Sequence, residues 1–486
     1  MINLKQVIQQ LDITDAEKIT AGLKASNAQK FLSLFSFYRD DGHSDTEIRE
    51  KLNENPRSFY VLKSRLYDKI QEHLLNTLES PKSDIVKKVT SIPELLLNTS
   101  RNKAASILKR LEEQLNEYDM PNELTTVYNA LKKITLHTDK YYHYSQLYNR
   151  HVAYTLSLDK AEDLMGSFVM RMGEYYHSRD DSALNLFDII REELMSTCKL
   201  YQSHHLTFFQ NILNASYSLF LPKITAGKME ESVENILHDC EKIIQEYPKD
   251  SLYRYLKNVI YFLFFEYYHS LGITRKEDQY YDVLNASLPQ FLYYNYYCMP
   301  TKFLLSKMER AVLLGTEVRL YEENNQMFKN FEIDKKDVPN VINYCVYLSL
   351  SAFYAREYKT AIKILQGLIN DVSFKNFIHA EIEVKLLLVL SNLMGGEYDL
   401  AWNVLKNITR KIYEVNKTGE YDNALTFSSL LRVSISGQKS KTIKESLVKH
   451  KKRFELANSG TKRMLTWLKM DDAFIDALAR PLKLQG

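Results

Sequence analysis

Glycine and proline are scarce in this chain, with 14 glycines and 10 prolines among 486 residues. Both residue types form the tight turns between short strands, so their scarcity argues against an all-β fold. Cysteine is also rare: Cys198, Cys240, Cys298 and Cys345 are widely spaced, with no CxxC pair. This spacing predicts reduced thiols and neither a disulfide framework nor a zinc knuckle.

The chain also lacks a dominant charge and a long apolar run. Lys and Arg total 64 against 61 Asp and Glu, which leaves a net charge of +3 and little attraction to nucleic acid or an anionic membrane. The most apolar run, VIYFLFFEYYHSL, contains Glu266 and is shorter than the ~20 residues that span a bilayer. The first residues are too polar for a secretory signal peptide. We therefore expect a cytoplasmic protein with no membrane partner.

Apolar residues recur at i, i+3, i+4 and i+7 through most of the chain, which predicts amphipathic helices. Two stretches, SAFYAREYKTAIKIL at 351–365 and SNLMGGEYDLAWNVL at 391–405, share residues at a constant offset of forty. Tyr358 and Ala361 in the first correspond to Tyr398 and Ala401 in the second. A fixed period of this size is typical of stacked helical units.

These positions resemble the tetratricopeptide repeat, a pair of antiparallel helices joined by a short turn after an aromatic residue. In that family a small alanine opens the contact made by the second helix. Tyr354 stands seven residues before Ala361, and Tyr176 stands seven before Ala183 in an earlier copy, GEYYHSRDDSALNLFDII. The period of forty exceeds the ~34 residues of the family.

The resemblance implies a right-handed α-solenoid of helix pairs whose concave face is lined by the first helices. We therefore predict an all-α fold with three parts. They are a small helical domain at 1–79, a linker at 80–93, and an array of tetratricopeptide-like pairs at 94–486 that ends in capping helices.

The N-terminal domain contains a second pattern. SDTEIREKL, residues 44–52, begins with a capping box, and residues 58–78 form an amphipathic helix after a turn. Together they resemble the helix-turn-helix of sigma factors, in which the second helix enters the major groove. The resemblance implies DNA contacts from Lys63, Arg65 and Lys69. Acidic residues on the same helix weaken attraction to phosphates, so we favour a small capping or docking domain.

Two EYYH motifs, at 174–177 and 266–269, raise the question of a metal. Glu-x-x-His places a carboxylate and an imidazole on one helical face, as in ferritin-like di-iron sites. Such a site also needs glutamates from two further helices, and the upstream candidates lie in charged runs. We therefore predict no metal and no cofactor. The chain also lacks HExxH, a Gly-rich phosphate loop and GxSxG, so we expect no enzymatic activity.

Aromatic residues are dense between positions 253 and 303. Adjacent helical residues point about 100° apart, so these side chains cannot all face one core. They are either large core residues of packed helices or a surface that binds a peptide, for which tyrosine is well suited. The second interpretation places five residues along a binding groove: Tyr261, Phe265, Tyr268, Tyr294 and Tyr297.

These patterns predict a non-catalytic adaptor or scaffold that binds a protein or peptide on the concave, Tyr-rich face of the array. The alternative is a transcriptional regulator in which the N-terminal domain binds DNA and the array senses a partner. The basic stretch at 438–463 has two interpretations as well. It is either a site for an acidic peptide or nucleic acid, or the polar end cap that a solenoid needs, which we favour.

Overall fold

A computed structural model describes residues 4–11, 13–40, 43–77, 81–201, 203–222, 231–248, 250–293, 296–328, 331–436, 440–460 and 462–479. All regular secondary structure in these ranges is helical, and they contain no strand. The prediction of an all-α fold is therefore confirmed. None of the helices in the described ranges combines the length and the apolar character needed to cross a bilayer.

The chain divides into two compact units. Unit 1 consists of Met1–Tyr148 with Phe328–Glu332, and unit 2 consists of Asn149–Met327 with Ile333–Gly486. The helices of unit 1 are α1 (Leu4–Gln10), α2 (Ile13–Ala25), α3 (Gln29–Arg39), α4 (Asp45–Lys51), α5 (Pro56–Thr77), α6 (Pro81–Thr90), α7 (Ile92–Asn98), α8 (Arg101–Glu117) and α9 (Pro121–Ile134). The next helix, α10 (Lys140–Ser178), contains the boundary between the units.

Unit 1 has two apolar clusters, one from α1 to α5 and one from α6 to α10. The predicted capping box is present, because the Ser44 hydroxyl accepts from the Glu47 N–H and the Glu47 side chain accepts from the Ser44 N–H. The predicted linker largely coincides with α6, whose Ile85 and Val89 are buried in the second cluster. Unit 1 therefore continues beyond residue 93, and a separate domain at 1–79 stays a prediction.

Unit 2 continues as a succession of helices in which neighbours along the chain pack on one another. Short 3₁₀ turns at Asp181–Ala183 and Glu317–Arg319 precede two of them. The helices are α11 (Leu184–Leu200), α12 (His204–Phe220), α13 (Val233–Glu246), α14 (Ser251–Leu271), α15 (Thr274–Ala286), α16 (Leu288–Tyr293), α17 (Pro300–Leu314), α18 (Leu320–Met327), α19 (Val338–Tyr354), α20 (Tyr358–Asp371), α21 (Ile378–Gly395), α22 (Tyr398–Val415), α23 (Asp422–Ile435), α24 (Ser440–Ala457) and α25 (Asp472–Leu478).

The forty-residue offset corresponds to two helix pairs, α19 with α20 and α21 with α22. Ala361 and Ala401 are fully buried at equivalent places in α20 and α22, where a small residue lets neighbouring helices approach closely. Tyr358 and Tyr398 are half-buried first residues of these helices. The earlier copy differs, because Ala183 lies in a 3₁₀ turn and is only half-buried.

Candidate functional site

The five predicted groove aromatics occupy different environments. Phe265 and Tyr268 of α14 are 0% and 1% exposed, so a peptide could reach neither without a rearrangement of the core. Tyr261 and Tyr297 are half-buried. Tyr294 lies outside the described residues.

Tyr268 is fixed in place by polar contacts from two neighbouring helices. Its hydroxyl donates to Glu234 Oε1 of α13 at 2.8 Å. Lys276 of α15 donates to the same hydroxyl at 3.1 Å, and its ammonium lies 4.8 Å from the ring centroid. The side chain therefore joins three helices, which is a structural role.

One of the three cations assigned to DNA contact is already paired within unit 1. Lys63 Nζ of α5 lies 2.8 Å from Asp45 Oδ2 of α4, and the same carboxylate accepts from the Tyr38 hydroxyl at 2.7 Å. Arg65 and Lys69 are exposed on α5. The DNA-binding alternative stays a prediction, with two exposed cations to support it.

The first EYYH motif does not bring its carboxylate and imidazole to a common site. Glu174 is exposed and accepts from Arg171 at 2.8 Å. His177 is buried, and its Nε2 donates to the carbonyl oxygen of Pro339 at 3.0 Å. Their spacing places both residues on α10. His177 lies on the face of that helix that contacts Pro339 of α19, whereas Glu174 lies on an exposed face.

Unit 2 contains a cavity of about 460 Å³. Its walls come from α10, α12, α14, α17, α19 and α21, together with a non-helical segment, residues 462–469. The charged part of its lining comprises Arg179, Glu266, Lys302, Glu309, Glu383 and Arg463. Glu266 and His269 of the second EYYH motif both face this cavity.

A buried ion pair lies in the wall of the cavity. Lys302 Nζ lies 3.0 Å from Glu266 Oε2, and the Ser306 hydroxyl donates to Glu266 Oε1 at 2.6 Å. Burial alone would lower the pKa of Lys302, but the charges of Glu266 and Glu309, the Tyr176 hydroxyl and the hydrogen bond to Glu266 together outweigh burial and raise that pKa above its ordinary value. Lys302 is therefore charged at neutral pH, and it partners the one carboxylate that interrupts the apolar run of α14.

Glu309 connects this wall to segment 462–469. His269 Nδ1 lies 3.0 Å from Glu277 Oε1, its Nε2 lies 3.5 Å from Glu309 Oε2, and the Thr466 hydroxyl donates to Glu309 Oε1. Burial would raise the pKa of Glu309, but a hydrogen bond from His269, the charge of Lys302 and a hydrogen bond from Thr466 together hold that pKa below its usual value. Glu309 is therefore an ionised acceptor for the segment.

Segment 462–469 is anchored by apolar side chains. The four that are buried are Met464, Leu465, Trp467 and Leu468. A turn brings them together, because the Leu468 N–H donates to the Leu465 carbonyl oxygen at 3.0 Å. Leu465 has φ 54°, a conformation that costs a non-glycine residue energy and that these contacts must offset.

Tyr354, the last residue of α19, binds the main chain of the segment on both sides of Leu468. Its hydroxyl donates to the Trp467 carbonyl oxygen at 2.8 Å and accepts from the Lys469 N–H at 2.9 Å. Sequence reasoning assigned Tyr354 only a place in the repeat. In the structure its hydroxyl satisfies two backbone groups that would otherwise be buried without partners.

Two further helices bind the main chain of the segment. Glu383 Oε1 of α21 accepts from the Leu465 N–H at 2.8 Å, and Asn423 Nδ2 of α23 donates to the Lys462 carbonyl oxygen at 2.8 Å. These contacts recognise backbone groups that every peptide carries, whereas the apolar anchors recognise particular side chains. The combination can hold a non-helical peptide.

Three titratable groups beside the segment have pKa values shifted toward the neutral form, unlike Glu309. Burial raises the pKa of Glu383 to about 7 and lowers the pKa of His177 to about 3. Burial, with the positive charge of Arg179 as a further cause, also lowers the pKa of His379 well below its usual value. His379 Nε2 lies 3.7 Å from Glu383 Oε2, but with these shifts the two groups do not form an ion pair at neutral pH.

Sequence reasoning missed this site, although two signals were present. Glu266 was the single charge inside the most apolar run, where an ionised side chain requires a buried partner. The apolar letters MLTWL follow the basic stretch directly, and a polar end cap does not explain them. Comparisons with protein-family models, curated proteins and solved structures found nothing that matches the chain.

Proposed function

We propose that the chain is a non-catalytic scaffold that binds non-helical peptide segments on the surface formed by α17, α19, α21 and α23. One observation carries the proposal: segment 462–469 of this same chain is held there by apolar anchors and by side chains that bind its backbone. We further propose that the helix pairs of unit 2 stack as a right-handed, tetratricopeptide-like array, which would supply this surface.

The contacts define the partner that the surface suits. A ligand that replaces the segment needs exposed backbone N–H and C=O groups for Tyr354 and Glu383. It also needs closely spaced bulky apolar residues, with an aromatic residue at the position of Trp467. Peptide recognition commonly combines main-chain hydrogen bonds for affinity with side-chain pockets for specificity.

An internal occupant competes strongly with a free peptide. A tethered segment acts at an effective concentration on the order of millimolar, so a peptide added to the unmodified protein binds weakly. The proposed function therefore predicts that loosening the segment increases the affinity for added peptide.

The chain offers a direct reporter for this competition. It contains two tryptophans, Trp467 in the segment and Trp402 on the exposed side of α22. In the full-length Trp402→Phe variant, tryptophan emission reports only on the segment. We expect an added peptide with the sequence of residues 462–471, carrying Phe in place of Trp467, to shift that emission to longer wavelength as the segment leaves.

The decisive comparison uses a labelled form of that peptide and two variants. Leu465→Ala weakens an anchor of the segment and is expected to bind the peptide about tenfold more tightly than the parent protein. Leu456→Ala changes a leucine that is 78% exposed on α24 and is the matched control, with unchanged affinity. Equal affinity in all three proteins, or no binding to any of them, would rule out this surface.

A further inference from the structure

Two arginines face the cavity of unit 2 without an acidic partner. Arg179 and Arg463 both line it, and neither forms an ion pair among the residues that the structure describes. The Nε of Arg179 is buried and has no hydrogen-bond partner. Its guanidinium lies 4.8 Å from the ring centroid of Tyr176 and 5.8 Å from that of Tyr175. Among its described neighbours Glu383 is the carboxyl group whose pKa its charge lowers, and burial nevertheless raises that pKa to about 7.

The remaining charges of the lining are accounted for. Lys302 pairs with Glu266, and Glu309 accepts from His269 and Thr466. Glu383 accepts from the Leu465 N–H and is partly protonated at neutral pH because burial raises its pKa to about 7. The two arginines therefore leave the cavity with an excess of positive charge.

The backbone at Arg179 supports a role for its side chain. Arg179 follows the last residue of α10 and has φ 53°, and its N–H donates to the Tyr175 carbonyl oxygen at 2.8 Å. Glycine is the usual residue in this left-handed conformation after a helix, because it has no Cβ to strain the backbone. An arginine here accepts that strain and places a guanidinium at the cavity.

A third polar group in the lining has one nitrogen without a hydrogen-bond partner. His379 lines the cavity and is buried, and its Nδ1 has no hydrogen-bond partner. The charge of Arg179 is among the causes that lower the pKa of His379. An anion beside Arg179 would oppose that effect and favour protonation of the imidazole, which would then donate from Nδ1.

We propose that this cavity binds a small oxyanionic ligand, a carboxylate or phosphate compound, between Arg179 and Arg463. The planar guanidinium forms paired hydrogen bonds with either oxyanion. The volume of about 460 Å³ falls within the range of small-molecule sites, roughly 300 to 1,000 Å³. The site would stand even if the proposed peptide binding failed.

Because Arg463 belongs to segment 462–469, binding of the anion should affect how firmly that segment is held. Arg463 belongs to segment 462–469, whereas Arg179 follows α10, so an anion that contacts both holds the segment in place. A bound anion should therefore lower the affinity for added peptide. This coupling, unlike the anion site, rests on the proposed function.

The test is calorimetric titration of the full-length protein with inorganic phosphate and, separately, with citrate, in a low-salt buffer at neutral pH. We expect saturable binding of at least one probe, and the tighter probe identifies the ligand as a phosphate or a carboxylate. Arg179→Gln and Arg463→Gln should each weaken that binding about tenfold or more. Arg410→Gln, which changes an arginine with an 80% exposed side chain on α22, is the matched control.

Two measurements keep the outcome clear. Circular dichroism shows whether the variants remain helical, and Arg463→Gln alters an exposed side chain that has no ion pair to lose among the described residues. In nuclear magnetic resonance spectra, the bound anion should raise the pKa of His379. Absence of saturable binding by both probes, or equal affinity in the parent and both cavity variants, would overturn the proposal.

Discussion

The two units differ in what they bury. Tyrosine aside, every buried polar or charged residue among those the structure describes lies in unit 2, and examples are Glu266, Glu277 and Lys307. The described interior of unit 1 consists of two apolar clusters. Burying a charge costs free energy unless it is paired and hydrogen-bonded. Hydrophobic burial is thus enough to explain the stability of unit 1. Unit 2 also buries polar groups, which stability alone does not require.

Breaking the buried ion pair of unit 2 should have the largest effect. Lys302→Met leaves Glu266 buried without its cation, and we expect the free energy of unfolding to fall by about 3–5 kcal/mol. Urea denaturation followed by tryptophan fluorescence measures it, because both tryptophans lie in unit 2.

An exposed pair of the same unit provides the control. Lys160 and Glu193 lie 2.7 Å apart with side chains 50% and 46% exposed, and Lys160→Met should cost less than about 1 kcal/mol. The double variant Lys302→Met/Glu266→Leu should recover most of the lost stability, because it leaves no unpaired charge. An equal loss of unfolding free energy in Lys302→Met and Lys160→Met would contradict the idea that the buried charges set unit 2 apart.

The apolar interior of unit 1 should respond to lost volume instead of lost charge. Leu66 of α5 is fully buried, and Leu66→Ala should destabilise unit 1 by about 2–5 kcal/mol through the cavity it leaves. Hydrogen exchange of α5 measures this effect, since unit 1 contains no tryptophan. Val61→Ala changes an exposed residue of the same helix and should leave exchange unchanged. Equally fast exchange in the Val61 variant would contradict this explanation, because alanine favours a helix more than valine does and the exposed site leaves no cavity.

Local sequence patterns predicted local structure well. The capping box at Ser44 is present, and Leu66 and Ile70 of the predicted amphipathic helix at 58–78 are buried in α5. The forty-residue offset corresponds to two helix pairs. The periodicity of an amphipathic helix and the chemistry of a cap depend on residues only a few positions apart, which one sequence displays.

Contacts between distant residues were not predictable in this way. The density of aromatic residues between positions 253 and 303 did not reveal that Phe265 and Tyr268 would face the core, because the side on which a helix packs depends on its neighbours. The bond between Tyr354 and Trp467 joins residues 113 positions apart. The sequence around Tyr354 does not indicate that Trp467 is its partner, and the reverse is also true. The site could therefore be recognised only from the three-dimensional arrangement of the helices.

The pH dependence of unit 2 should reveal Glu383. Burial raises its pKa from 4.5 to about 7, so the folded state binds this proton more tightly than the unfolded state. Its contribution is fully present below pH 4.5 and is lost as pH rises to about 7, by up to about 3 kcal/mol. The stability of the parent minus that of Glu383→Gln should therefore fall between about pH 5 and pH 8.

The difference between the two proteins is needed because the histidines act in the opposite direction. The pKa values of His177 and His379 are lowered by burial, so their contribution is lost as pH falls through the ordinary histidine range. Both proteins share it, and it cancels. Glu414→Gln, which alters an exposed glutamate of α22, should show no such trend. A flat difference for Glu383→Gln would mean that this carboxyl is not buried.

The smallest effect is expected when the three cations of α5, Lys63, Arg65 and Lys69, are replaced and DNA binding is measured. Asp45 already partners Lys63, and the mixed charges of α5 offer little attraction to phosphates. We expect no salt-sensitive mobility shift with random duplex DNA, either from the parent or from a variant with Lys63, Arg65 and Lys69 changed to Glu. A shift in the parent that the variant abolishes would favour the DNA-binding alternative.

The long sequence separation of segment 462–469 from its partners has a consequence for synthesis. Thr466 contacts Glu309 across 157 positions, whereas each helix pair closes over a few dozen residues, and distant contacts form more slowly than local ones. On the ribosome the helices of the surface emerge before the segment. A newly made chain therefore presents an unoccupied surface for a time, and a partner that meets it then has no internal competitor to displace.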